Sequence, residues 1–455
     1  MRKYILATCM LVSCLVIAEE KESSSFDVGA DVRFRHEIMK NVPGLPGGGR
    51  ANDKVMIDDK SHMRFRLRAW AEAATKIAES ARLRFYTRFT DEFRWYIKPT
   101  TGKNTFPDEV ILDNLFLEGT DFFDGLVDFT IGRQDINRLY GLDHIFVDGT
   151  PGDGSRSVYA DMARVSFNIK DEAKLDFFFL YNQDDNHLRW GTERGNHRSM
   201  TGLGGGAELD MDDWGFGVIW SDRLSENIPY QLFAMQKQTA SYRLKGEKHP
   251  AFHRELLGAK VVPEITENIA LQLEAMGQVG RNDNGNTLTG WSTYSGVNYK
   301  GKVANFKSTA SIGLHIMSGD KNAAEEDGGY HAWDPMWARG VNDSELFLNG
   351  THYGTAWWSN MIFLKSTFAV EFARNHAVKL SAGPIFAQRE DSLGGGNGNF
   401  KGLLSQIRYD VPIMKAENGD FEMFGHIVAE HFNPGDYFET ERPGWFVRWQ
   451  VEVKF

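Results

Sequence analysis

Arginine recurs at alternate positions in three stretches near the N-terminus: Arg33 and Arg35, then Arg64, Arg66 and Arg68, then Arg82, Arg84 and Arg88. Side chains two residues apart point to the same side of an extended strand, so this spacing would stack eight guanidinium groups on one surface. The planar guanidinium fork binds carboxylates through two parallel hydrogen bonds, and walls of arginine select anions. Arg133, Arg164, Arg408 and Arg448 occupy similar alternating segments and would extend the surface. The same stretches also carry Asp27, Asp31, Glu37, Glu72, Asp113, Glu118 and Asp161. Cross-strand pairing with these acids would stiffen a wall without selecting anything. Selective anion binding and structural pairing are both open, and Asp161 is expected to hold an arginine rather than a solute.

Such a wall needs strands. Phe26, Val28, Ala30, Val32 and Phe34 alternate with Asp27, Gly29, Asp31, Arg33 and Arg35, and Met63 to Ala73 and Trp445 to Phe455 repeat the pattern. Strict alternation marks a strand with one apolar and one polar face. Eighteen such segments can be drawn, approximately 26–37, 61–74, 81–92, 109–118, 126–133, 157–169, 174–182, 204–220, 229–239, 254–262, 268–280, 290–301, 304–317, 354–368, 377–388, 400–411, 421–432 and 444–455. The first, third, fifth, seventh and thirteenth connections are long, whereas the second, fourth and sixth are short. A soluble sandwich has no reason to keep that parity, but an outer-membrane barrel does. Arginine facing hydrocarbon at the membrane midplane costs roughly 2 to 4 kcal/mol, so the basic face must be the lumen. The expected fold is all-β: a transmembrane antiparallel β-barrel of 18 strands with short periplasmic turns and long extracellular loops. Trp357, Trp358, Trp445 and Trp449 suit the interfacial girdle.

The composition agrees with this architecture. Only 42% of the 455 residues are hydrophobic, with no run long enough for a helical span after the N-terminus, yet 13% are aromatic and 46 are glycine. Such values argue against both disorder and a helical bundle. The net charge of -11 gives no reason to expect a nucleic-acid partner. Arg2 and Lys3, followed by the apolar run from Tyr4 to Ala18, form a secretory signal peptide over 1–18. That leaves 19–455 as a single barrel domain. A lipoprotein box ending at Cys14 is the rival reading of the same segment. Both cysteines, Cys9 and Cys14, fall within it.

Other constellations carry little chemistry. The glycine runs at 202–206 and 394–398 do not open a helix after a strand, so they make no phosphate cradle. Asp148 to Gly154 lacks a calcium-loop pattern, and the 13 histidines show no metal-binding spacing. No catalytic set, metal or cofactor is expected. The long loop from Ser318 to Tyr353 holds Glu325, Glu326 and Asp327 beside Trp333 and Trp337, and could fold inward as an acidic plug.

Several segments together resemble the alginate-export family of outer-membrane porins. They are Arg33-x-Arg35-x-Glu37, the arginine-alternating second strand, Leu126 to Gln134, Ser157 to Arg164, Glu274 to Gly280, Ser318-Gly319-Asp320 and Asn433-Pro434-Gly435. The resemblance implies an eighteen-stranded monomeric barrel that passes an anionic uronic-acid polysaccharide through an arginine-lined constriction. The expectation is therefore a channel for anionic oligo- or polysaccharide in the outer membrane of a Gram-negative-type bacterium. A general diffusion porin for small nutrients and a barrel enzyme are the alternatives. Expected partners are the polysaccharide, outer-membrane lipid and the barrel-assembly machinery, reached through the terminal Phe455.

Overall fold

The computed structural model describes residues 24–44, 55–57, 59–98, 109–136, 138–146, 159–169, 172–182, 189–191, 212–244, 247–321, 329–337, 344–346, 359–372, 375–391, 393–417, 419 and 421–455. Residues 1–18, expected to be a signal peptide, the runs 148–154 and 202–206, Glu325 to Asp327, Trp357 and Trp358 lie outside the described residues. Strand formation follows the alternation. The strands are β1 (Ser24–Lys40), β2 (Lys60–Lys76), β3 (Arg82–Lys98), β4 (Glu109–Asp121), β5 (Val127–Asp135), β6 (Tyr159–Asn168), β7 (Lys174–Asn182), β8 (Asp213–Arg223) and β9 (Pro229–Thr239). They continue with β10 (Phe252–Val261), β11 (Ile269–Asn282), β12 (Thr287–Val303), β13 (Phe306–Met317), β14 (Met361–Phe372), β15 (His376–Phe386), β16 (Phe400–Lys415), β17 (Glu422–Pro434) and β18 (Gly444–Lys454).

Each strand pairs antiparallel with its sequence neighbours, and β18 pairs with β1 from Asp31↔Lys454 to Lys40↔Trp445. The result is a closed 18-strand antiparallel barrel. Closure satisfies every ladder internally, the condition for crossing lipid with strands. All eighteen expected segments are present, with shifted ends. The segment expected from 204 is described as a strand from Asp213, and the one expected at 354–368 lies at Met361–Phe372. The tightest turn joins β12 to β13 through Ala304 and Asn305, both left-handed with φ of 47° and 69°. That conformation matches the twist of a two-residue hairpin. Long connections keep to one rim with one exception: residues 283–286 join β11 to β12 there in only four residues.

The outer face is apolar, as the lipid requires. Val28, Val32, Phe85, Phe368 and Ile407 stand exposed on it, as do Trp445 and Trp449. The chain is an outer-membrane β-barrel.

Candidate functional site: the arginine wall and the loops facing it

Register brings the basic positions together. Arg33 sits opposite Arg66, and Arg35 opposite Arg64, across the β1–β2 ladder. Arg448 of β18 sits opposite Glu37 of β1, and Gln450 opposite Arg35. Like charges facing one another across a ladder repel, so the pairs Arg33/Arg66 and Arg35/Arg64 require counter-charge. The carboxylates supply it. Arg64 donates from Nη1 to Glu37 Oε2 at 2.9 Å and from Nη2 to Glu92 Oε1 at 3.1 Å. Arg33 reaches Glu92 at 3.4 Å, and Arg35 pairs with Glu37 at 3.1 Å. Arg66 lies between Asp31 at 2.9 Å and Glu452 at 3.2 Å. Arg68 continues the inner row, in register between Asp31 and Thr90.

Toward the short-turn rim the wall is wetter. Arg84 bridges Glu72 at 3.0 Å and Glu118 at 2.7 Å, and its side chain is 29% exposed, whereas those of Arg35 and Arg448 are 0% exposed. Arg82 is exposed at the start of β3. Farther along β3, Arg88 reaches to the next two strands, binding Asp113 at 2.9 Å and Asp135 at 3.0 Å. Arg133 chelates Asp161, Nε to Oδ1 at 2.7 Å and Nη2 to Oδ2 at 2.8 Å, while its guanidinium lies 4.5 Å from the Tyr159 ring centroid. Asp161 holds an arginine in this arrangement. Arg164 donates to the Thr130 hydroxyl at 3.1 Å, and Arg408 pairs with Asp410 at 2.6 Å.

The opposite wall is covered by chain from two connections. After β5, Ile136 and residues 138–146 turn into the barrel and bury Ile136, Leu142, Ile145 and Phe146. Wall side chains hold them: Gln231 Nε2 donates to the Tyr140 carbonyl at 3.0 Å, Lys260 Nζ to that of Gly141 at 2.6 Å, and His144 Nδ1 meets Glu274 Oε2 at 2.6 Å. Burial raises the Tyr140 phenol above its ordinary range, so it remains uncharged there. The connection between β13 and β14 also enters. Gln278 exchanges hydrogen bonds with the Asp334 backbone at 2.6 and 3.0 Å, and Lys237 donates to the Met336 carbonyl. The two connections meet where Phe146 stacks on Trp337, centroids 5.5 Å apart and planes 1° apart, with Phe178 edge-on to both. Gly215 makes this possible, because a Cβ there would stand 2.4 Å from the Trp337 ring.

Further along the second connection, Ser344 to Leu346 cross to the basic side. Glu430 of β17 accepts from the Ser344 hydroxyl at 2.7 Å and from the amides of Glu345 and Leu346 at 2.9 Å. Arg448 donates from Nη1 to Glu345 Oε1 at 2.6 Å and from Nε to His426 at 3.0 Å. Burial pushes the Glu345 carboxyl up while Arg448 pulls it down, and burial is the larger effect.

Sequence reasoning named Asp27, Asp31, Glu37, Glu72, Asp113, Glu118 and Asp161 as partners; the last six engage an arginine, whereas Asp27 is exposed and sits opposite Glu72 in the β1–β2 ladder. It missed Glu92 and Glu452, which strand parity could have supplied: Glu92 follows Arg82, Arg84 and Arg88 at even spacing, and Glu452 follows Arg448. It also missed Glu345 and Glu430, since a loop residue carries no periodicity to place it. His36 packs on the outer face beside Trp449 and bonds Ser61 at 3.0 Å.

No protein-family model matches the chain, and no curated protein matches it. Solved structures do. Pseudomonas aeruginosa OccK5 (OpdH) superposes with a TM-score of 0.54 at 8% identity, covering 94% of this chain and 98% of that one. Acinetobacter baumannii OccAB2 gives 0.53 at 10% identity over 95% and 98%. Pseudomonas aeruginosa OccK2 (OpdF) in complex with glucuronate gives 0.51 at 11% identity over 95% and 96%. At such identities the likeness shows the fold, that of outer-membrane porin barrels.

Proposed function

We propose that the barrel is a diffusion channel for small polar solutes, with the arginine wall favouring those that carry a carboxylate. The observation that carries this reading is the pair of inward connections meeting at Phe146 and Trp337, anchored to the wall by Gln231, Lys260, Lys237 and Gln278. Chain packed across the lumen in this way leaves room for a small molecule far more readily than for a hydrated polymer. The acidic polysaccharide channel implied by the alginate-export resemblance is therefore the lesser reading, and the porin neighbours support the small-solute alternative. The complex of OccK2 with glucuronate supports a small carboxylate in a barrel of similar fold. Arg33, Arg35, Arg64, Arg66, Arg68, Arg84, Arg88, Arg133, Arg164 and Arg448 would set the lumen potential, with their carboxylate partners limiting how many are open to a solute.

Liposome swelling tests the reading. Vesicles carrying the protein should admit arabinose and glucuronate and exclude alginate chains of tens of residues. Passage of the polymer, or entry of the small solutes no faster than into empty vesicles, would overturn it.

A further inference from the structure

The carboxylates that neutralise the upper wall are not equivalent. Asp31, Glu37, Glu92 and Glu452 come from the same strands as the arginines, or from adjacent ones, and are held by the ladder. Glu345 comes from the connection between β13 and β14. It is fully buried, with its Oε1 2.6 Å from Arg448 Nη1, closer than Glu37 stands to Arg64 at 2.9 Å or to Arg35 at 3.1 Å. The guanidinium it engages is itself built in: Arg448 is fully buried, its Nε is committed to His426 at 3.0 Å, and Glu37 is 3.8 Å away on the neighbouring strand. Arg448 thus presents one face to Glu345 in the way an anion site presents a donor to a ligand.

The backbone around Glu345 is held equally deliberately. Glu430, buried in the wall, takes the Ser344 hydroxyl and two consecutive amides, so a wall carboxylate fixes the loop while a loop carboxylate occupies the wall. A purely structural strap would need only the first of these contacts. The second places an acid group on the arginine that the proposed function would offer to a solute.

The geometry points to Glu345 as a resident competitor: its carboxylate fills the anion position on Arg448, and an incoming carboxylate solute binds there by displacing it. This rests on the diffusion-channel reading and names how that site is regulated. The exchange is one of like for like, carboxylate for carboxylate, so Arg448 Nη1 keeps one acid partner before and after. Neutral solutes gain nothing from it. The wild-type channel should therefore hold carboxylates weakly and release them quickly, as a diffusion pore requires, while discriminating against solutes without an acid group.

Single-channel recording with glucuronate as the probe and glucose as its neutral counterpart tests this. Glu345→Gln keeps the shape and removes the competing charge. Charge-assisted hydrogen bonds are strong enough that the half-blocking glucuronate concentration should fall roughly tenfold. Glucose should act on the variant as it does on wild type, and Glu345→Asp should restore wild-type behaviour. Glu430→Gln, which weakens the strap without touching the arginine, should move the glucuronate block in the same direction and serves if Glu345→Gln fails to assemble. Glucuronate block unchanged in these variants, in a channel that still passes glucose, overturns the competitor role alone. A wild-type channel that passes neither solute overturns the diffusion reading beneath it.

Discussion

Burial decides what each ion pair in the wall is worth. Arg64, Arg35 and His62 converge on Glu37 at about 3 Å, with every partner in the dry upper wall. Removing one member of a buried pair strands the others in a poor solvent, which costs roughly 3 to 5 kcal/mol. Exposed pairs contribute only about 0 to 1 kcal/mol, because water and salt screen them. Glu72, paired with Arg84 and 29% exposed, belongs to that second class. Glu37→Gln should therefore lower the denaturant midpoint of the reconstituted barrel by an amount equivalent to about 3 kcal/mol or more, while Glu72→Gln should stay within about 1 kcal/mol. Equal shifts in urea titrations of the two variants would show that the upper wall is hydrated after all. The side-chain chemistry of this scale was legible in the sequence, since arginines and acids sharing one strand face must meet. What parity could not reveal is which pairs are dry, because burial depends on how the rest of the chain packs around a pair and strand parity does not encode that.

Strands and turns were readable for the same reason that they form. Lipid on one side and a polar lumen on the other impose a period of two, and the sequence from Ser24 to Lys40 or Gly444 to Lys454 has no competing pattern. Connections obey no period. Trp333 and Trp337 in a long loop suggested an inward fold, but nothing near them specified Phe146 as the partner, and Gly215 signals a close approach without naming what approaches. Two outcomes test this scale. Replacing Ala304 by Gly removes the left-handed penalty at φ 47°, offset partly by extra freedom in the unfolded chain, and should stabilise the β12–β13 hairpin by about 1 kcal/mol or less. A loss of stability in thermal unfolding would contradict the turn conformation. Trp337→Ala should detach the two inward connections from each other, because deleting a buried tryptophan removes packing worth about 3 to 5 kcal/mol in a core. Its signature should be higher single-channel conductance and more current noise, with heat-modifiable migration on gels unchanged. Unaltered conductance would mean that the packed connections do not narrow the path.

For the whole molecule, the question is how an acidic chain can present a basic wall. The formal charge of -11 is an average over faces that never see one another. Inside the barrel, Arg66 already shares Asp31 and Glu452, and Arg84 shares Glu72 and Glu118, so the lumen potential is a small difference between large, nearly balanced terms. Such a difference is sensitive to removal of either sign. Neutralising Arg66, Arg68 and Arg84 together leaves Asp31, Glu452, Glu72 and Glu118 without those counter-charges. The reversal potential in a salt gradient should then move toward cation selectivity rather than merely to zero. The shift should be larger in dilute salt, where the screening length is about 30 Å at 0.01 M against about 10 Å at 0.1 M. Wet pairs such as Arg84 with Glu118 should contribute most of that salt dependence, and the dry pair of Arg66 with Asp31 least. A triple variant with the selectivity of wild type at both salt concentrations would mean that these arginines serve only to brace the barrel, and that any preference for acidic solutes resides elsewhere on the wall.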